Sequence, residues 1–171
     1  MTETDEVGGD ECNAFNRNVR EHIRIHQPDA VFLVGGTAAV TDSPEEDLTW
    51  GLDELVGEIT DQGIEVIAMR DNPRFSFSPS ECAMASGVED PRCRPAQSSV
   101  LAESNPLDQL EGTFTGGLSI LDMTDLICDG SSCPGIVGNV YVYLDDNHLS
   151  STYVRTMTET LSERWFDATG W

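Results

Sequence analysis

The chain has 171 residues, 39% of them apolar, which is enough for one domain with a real core. Its formal net charge is -22, from 31 acidic residues against 9 basic ones, all arginine. No basic stripe is present to neutralise phosphates or anionic headgroups, so nucleic acid and anionic lipid are excluded as expected partners. The acidic excess suits solubility in a salty or wall-associated setting better than recognition of a cationic partner. No stretch approaches the roughly 18 apolar residues of a membrane span, and the acidic start MTETDEVGGDE does not read as a signal peptide.

Residues 1–11 read as a flexible acidic lead and residues 12–171 as the domain. Cys12 to Gln27 predicts an amphipathic helix, with Phe15, Val19, Ile23 (or His22) and His26 at three- and four-residue spacing and Pro28 as its stop. His22 and His26 share a helix face, which reads as a partly buried face rather than a zinc site, because zinc needs further ligands. Ala30 to Val34 is a short apolar strand of the kind found inside parallel sheets, and it ends in Gly35-Gly36-Thr37. Those glycines could offer backbone N–H groups to an oxyanion or could form a plain turn. Ser43-Pro44-Glu45-Glu46 predicts a capped helix start running to about Gln62 and burying Leu48, Leu52, Leu55, Val56 and Ile59. Glu65 to Met69 is the next strand, which completes a β-α-β unit.

Arg70 to Pro95 is a polar excursion rich in proline and serine. Asn72 follows a strand end and either donates a hydrogen bond into a site or sits in an Asx-type turn stiffened by Pro73. A short helix is expected over Pro95 to Glu103, a loop over Gly112 to Gly117, a strand over Leu118 to Met123 and another over Val140 to Leu144. Leu149 to Phe166 predicts the closing helix, with Tyr153, Met157 and Leu161 on one face. Helices alternating with short strands predict a three-layer α/β sandwich with a mostly parallel sheet. Ligands of such sheets bind beyond the C-terminal strand ends. Gly35, Gly36, Asp71 and the Asp145–His148 pair all follow strand ends, so they are expected to converge on one edge.

Five cysteines are many for a cytosolic domain of this size. Two local disulfides, Cys82–Cys93 and Cys128–Cys133, account for four of them better than free buried thiols or a metal site. Cys12 is left unpaired. The run YVYLDDNHLSSTYV places an aspartate and a histidine three residues apart before a helical pattern. That arrangement suits the acid and base of a triad, with Asp145 orienting His148, although a histidine there can also be a simple cap or surface group. Asp146 competes with Asp145 for the role. Ser150 is best placed as a helix-start residue rather than a nucleophile. Ser119, Ser98 and Ser99 lie in no nucleophile-elbow context.

On these residues the chain resembles the SGNH/GDSL hydrolase-like domain at the C-terminus of acyltransferase-3 type membrane acyltransferases, which O-acetylate peptidoglycan or lipopolysaccharide sugars. DDNHLSSTYV resembles the family's D-x-x-H-L-S block, which implies triad roles for Asp145 and His148. CDGSSCPGIVGNVYVY resembles its cysteine-bracketed turn and strand. DNPRF with SECAMASG and RCRPA resembles its D-x-P-R segment and other cysteine pair. CNAFNRNVREHIRIHQPDAVFLVGG resembles its helix and P-D-x-V strand. The family's Gly-Asp-Ser nucleophile block has no counterpart: Gly8-Gly9-Asp10 is followed by Glu11. An aromatic that follows the family's P-D-x-V strand is replaced by Gly-Gly-Thr. The resemblance therefore implies a flavodoxin-like domain lacking its first β-α-β portion, where a further cysteine would pair with Cys12. It implies serine-dependent acyl transfer or hydrolysis on cell-surface carbohydrate, without cofactor or metal. An acyl donor, a carbohydrate acceptor and a membrane acyltransferase domain would be the partners, on the extracellular face of the membrane or in the wall. The alternatives are a catalytically silent wall- or sugar-binding module and a free-standing carbohydrate esterase.

Overall fold

A computed structural model describes residues 9–39, 43–114 and 116–170, so most of the acidic lead lies outside the described residues. Helix α1 (Asp10–His26) ends at Gln27, whose N–H makes the last i→i−4 bond to the Ile23 carbonyl and whose left-handed φ of 43° turns the chain out of the helix just before Pro28. The expected apolar stripe of α1 is buried only at Ile23; Phe15 is 66% exposed and Val19 39%. Strand β1 (Ala30–Val34) follows, then β2 (Gly36–Ala38) and β3 (Glu46–Leu48), which pair antiparallel.

The expected helix from Ser43 is corrected here. Glu46 to Leu48 is strand, and helix α2 covers only Leu52–Thr60. Gly51, at φ 71°, takes the left-handed turn into the helix that a side chain would resist. Glu46 is drawn out of a helical course because its carboxylate is buried against Arg70. The Ser-Pro-Glu-Glu signal is local, and this ion pair joins residues 24 positions apart.

Strand β4 (Glu65–Met69) lies at the centre of a parallel sheet ordered β1-β4-β5, where β5 is Leu118–Leu121. Its Val66, Ile67 and Ala68 are all buried, because helices cover both faces of the sheet. One face packs Val66 and Ala68 with Leu52, Val56 and Ile59 of α2 and with Ile23, Leu107 and Leu110. Each fully buried Val or Ile there contributes about 1.5–3 kcal/mol by leaving water. The second core holds Phe75, Met123, Ile127, Val142, Tyr143, Tyr153 and Met157. The expected α/β sandwich with a mostly parallel sheet is therefore observed, with three strands in the sheet.

The excursion after β4 contains helix α3 (Pro79–Ser86), capped by the Ser78 hydroxyl and tied down by the Cys82–Cys93 disulfide. Gly135 lies against it so closely that an added Cβ would sit 2.2 Å from the Pro79 carbonyl oxygen. The expected helix over Pro95 to Glu103 is only a short 3-10 turn at Gln97–Ser99. Helix α4 (Thr124–Ile127) precedes the Cys128–Cys133 disulfide. Cys12 is free and exposed.

The strand expected over Val140 to Leu144 is also corrected. Strands β6 (Ile136–Val137) and β7 (Val140–Tyr141) form a separate small hairpin, and Tyr143 makes only an isolated bridge to Leu149. The closing helix is two pieces, α5 (Ser151–Thr156) and α6 (Thr158–Thr169), which meet at Met157. Met157 and Tyr153 are buried as expected, and the Ser119 hydroxyl of β5 donates to the Ala168 carbonyl of α6 at 2.9 Å.

Candidate functional site

Asp145 and His148 sit in a short loop closed at its base by the Tyr143–Leu149 bridge. Leu144 N–H donates to the His148 carbonyl at 2.7 Å, and Ser150 N–H to the Val142 carbonyl at 2.8 Å. Inside the loop Asp145 Oδ1 accepts from the Asn147 N–H at 2.9 Å and the His148 N–H at 2.8 Å. Its other oxygen, Oδ2, lies 2.8 Å from His148 Nδ1. The Asn147 backbone N–H, followed by that of His148, holds the Asp145 carboxyl down at about 2, so it is ionised at neutral pH. An ionised carboxylate only accepts, which makes Nδ1 the donor; in the neutral ring Nε2 is then the proton acceptor. The imidazole is 71% exposed, so that nitrogen is open to an incoming group. The carboxylate against Nδ1 is that of Asp145; the Asp146 side chain is exposed and its backbone carbonyl accepts from the Phe75 N–H. Ser150 caps α5, with its hydroxyl accepting from the Tyr153 N–H and donating to the Tyr141 carbonyl.

The segment Asp71 to Phe75 connects this loop to the sheet. At one end Asp71 Oδ2 accepts the Ala38 N–H at 3.1 Å, and Oδ1 accepts the Asn72 N–H at 2.8 Å. At the other end the Phe75 N–H donates to the Asp146 carbonyl at 2.9 Å, and the Phe75 ring meets Tyr143 edge-on at 4.9 Å. The segment after β4 is thus tied at one end to the last residue of β2 and at the other to the Asp145–His148 loop. Gly36 lies beside it, at a distance where a Cβ would make ordinary contact with the Asp71 nitrogen at 3.4 Å. Gly35 is buried and its N–H already donates to the Met69 carbonyl at 3.0 Å. Among the described residues the Asn72 carboxamide has no hydrogen-bond partner.

The end of β4 carries a network that sequence reasoning missed. Arg70, directly after β4, binds Glu46 through Nε at 3.0 Å and Nη2 at 2.5 Å. It also reaches Asp122 at 3.1 Å and the Ala102 carbonyl at 2.8 Å. Glu46 takes a further hydrogen bond from the Ala102 N–H at 2.7 Å, and its side chain is fully buried. A groove of about 320 Å³ beside this network is lined by Arg70, Gln97, Asp122, Thr124, Asp125 and Gly130. Another groove, of about 420 Å³, runs between α1 and the end of α2 and contains none of the candidate residues. Of the other serines considered from sequence, Ser99 donates to the Ala96 carbonyl and Ser119 to α6, while Ser98 is exposed. Ser80 is buried and braces the Gly135 and Tyr143 carbonyls.

A model of the SGNH domain, fused to AT3 domains, matches residues 1–163. The fold is similar to that of the periplasmic domain of a lipopolysaccharide acetyltransferase from Salmonella ser. Paratyphi A, with a TM-score of 0.52 and 15% identity. The match covers 86% of this chain and 62% of that one, so the chain spans less than two thirds of the length of this neighbour. No curated protein matches the chain.

Proposed function

The chain belongs to the SGNH domains that are fused to AT3 domains, and on that premise we propose that it supplies the Asp/His part of a serine-dependent acyl-transfer site. The reading rests on one observation above all, the 2.8 Å contact between His148 Nδ1 and an Asp145 carboxylate fixed by two backbone N–H groups. A Gly-Asp-Ser segment outside this sequence provides the nucleophile. Its hydroxyl oxygen attacks the acyl carbonyl of the donor while His148 Nε2 takes the hydroxyl proton. Asp145 keeps the ring in the Nδ1–H tautomer and stabilises the imidazolium. The tetrahedral oxyanion is met by N–H donors of the same edge, with the Asn72 carboxamide and the Gly36 backbone as candidates; Gly35, whose N–H is engaged, supports the loop. As the intermediate collapses, His148 returns the proton to the leaving group. The acyl-enzyme then passes its acyl group, acetyl or another, to a sugar hydroxyl or to water; His148 takes the attacking group's proton and returns it to the departing serine oxygen.

The carbohydrate is a cell-surface one, such as a peptidoglycan or lipopolysaccharide sugar. The domain works on the outer face of the membrane next to a membrane acyltransferase domain that delivers acyl groups. Two disulfides fit an oxidising compartment. In the protein completed with its Gly-Asp-Ser segment, His148→Ala is expected to lower turnover by about 10³-fold or more with little change in melting temperature. Chromogenic acyl-ester hydrolysis measures this; unchanged turnover in the variant would remove His148 from the mechanism.

A further inference from the structure

Arginine is this molecule's only strong cation, and nearly every copy is accounted for. Arg20, Arg24, Arg70, Arg92, Arg94 and Arg164 each hold a carboxylate. Arg17 and Arg155 are exposed to water. Arg74 is the exception. It is half-buried, its Nε is sealed from solvent, and among the described residues it makes no hydrogen bond or ion pair. A part-buried guanidinium without a counter-charge is costly, and in a chain with 31 acidic residues a partner would be easy to supply.

Position supplies the reason. Arg74 lies between buried Pro73 and Phe75, within the clamped segment. Phe75 N–H binds the Asp146 carbonyl, which places the Arg74 backbone one residue from a direct tie to the Asp145–His148 loop. Among the described residues Asp71 is committed to backbone N–H groups and Asp145 to two N–H groups and the imidazole, while the exposed Asp146 carboxylate makes no bond to Arg74. The segment is tied at both ends, and among the described residues its cation is unpaired.

We propose that Arg74 binds the anionic group, a carboxylate or a phosphate, of an acidic glycan substrate at this edge. The inference rests on the acyl-transfer reading for the identity of the glycan, but not for the existence of the anion site. A planar guanidinium matches both groups through two parallel N–H bonds. It also offsets the repulsion that a chain of net charge -22 exerts on any negatively charged glycan. Arg74 acts here as a specificity-determining residue, since the proton transfers need only His148 and Asp145.

The test is binding to the 171-residue chain, read by amide chemical shifts, with galacturonic acid, glucose 6-phosphate and glucose as separate probes. One or both anionic probes should bind saturably, shift residues 72–75 and 145–148, and bind more weakly as salt rises. The probe that binds more tightly identifies carboxylate or phosphate as the source. Glucose should not bind. Arg74→Gln should weaken the anionic probe by about tenfold or more, as expected for a lost charge-assisted pair, and Arg74→Lys should restore part of the affinity. Both variants should melt close to the parent. Equal binding by Arg74→Gln, no binding by either anion, or unfolding of the variant would each overturn the proposal. Because no turnover is read, a failure of the His148 mechanism leaves this result standing, and the reverse.

Discussion

Arg70 and Arg74 lie four residues apart on one segment and have opposite surroundings. Arg70 has a side chain only 5% exposed, holds two carboxylates and a carbonyl, and joins β3, β4 and the turn after β5. Arg74 is partly covered and, among the described residues, holds nothing. A saturated buried cation ties elements together; an unsaturated one at the ligand edge of a parallel sheet is free to meet something from outside. The difference separates the scaffold of the site from its readiness to bind.

The sharpest way to break the comparison is to remove the partner of Arg70. Glu46→Ala leaves a buried guanidinium short of its main counter-charge and should cost about 3–5 kcal/mol, seen as a lower urea midpoint. A paired replacement, Glu46→Leu with Arg70→Met, should recover most of that loss, since apolar pairs of similar size substitute well for buried ion pairs. If Glu46→Ala instead melts like the parent, Arg70 is no scaffold. Arg74→Gln should change stability by less than about 1 kcal/mol in the same assay, because no partner is left behind. A large loss there would make the two arginines alike.

The smallest effect concerns Asp145. Its carboxyl is depressed from 3.8 to about 2, so its contribution is fully present above the ordinary value and is lost as pH falls through about 2. Carboxyl carbon shifts should show that midpoint. The backbone N–H groups of Asn147 and His148 outweigh the imidazole, so His148→Ala should leave Asp145 titrating below the ordinary range. Return to the ordinary value would mean that the ring, not the loop, holds the acid.

Local features were legible in sequence because their causes are local. The Asp145–His148 spacing closes its own turn through backbone N–H groups two and three residues away. Ser150 as a cap, the two short-range disulfides and the apolar strands β1, β4 and β5 likewise depend on neighbours or on simple burial patterns. The helix expected from Ser43 failed for the opposite reason. Its Ser-Pro-Glu-Glu signal is a weak local preference, and it was overruled by a buried pairing of Glu46 with Arg70 across 24 positions. The strand expected over Val140 to Leu144 failed because β propensity says nothing about which partner a strand finds; residues 140–141 found the adjacent β6.

By itself the sequence determined the α/β class, the cysteine pairs, the acidic composition and the closeness of Asp145 to His148, since each follows from composition or from residues close along the chain. Tertiary structure alone decided that Arg70 is saturated and Arg74 is not. A guanidinium's partners are chosen by what burial brings beside it, and for Arg70 those are Glu46, Ala102 and Asp122, each tens of residues away.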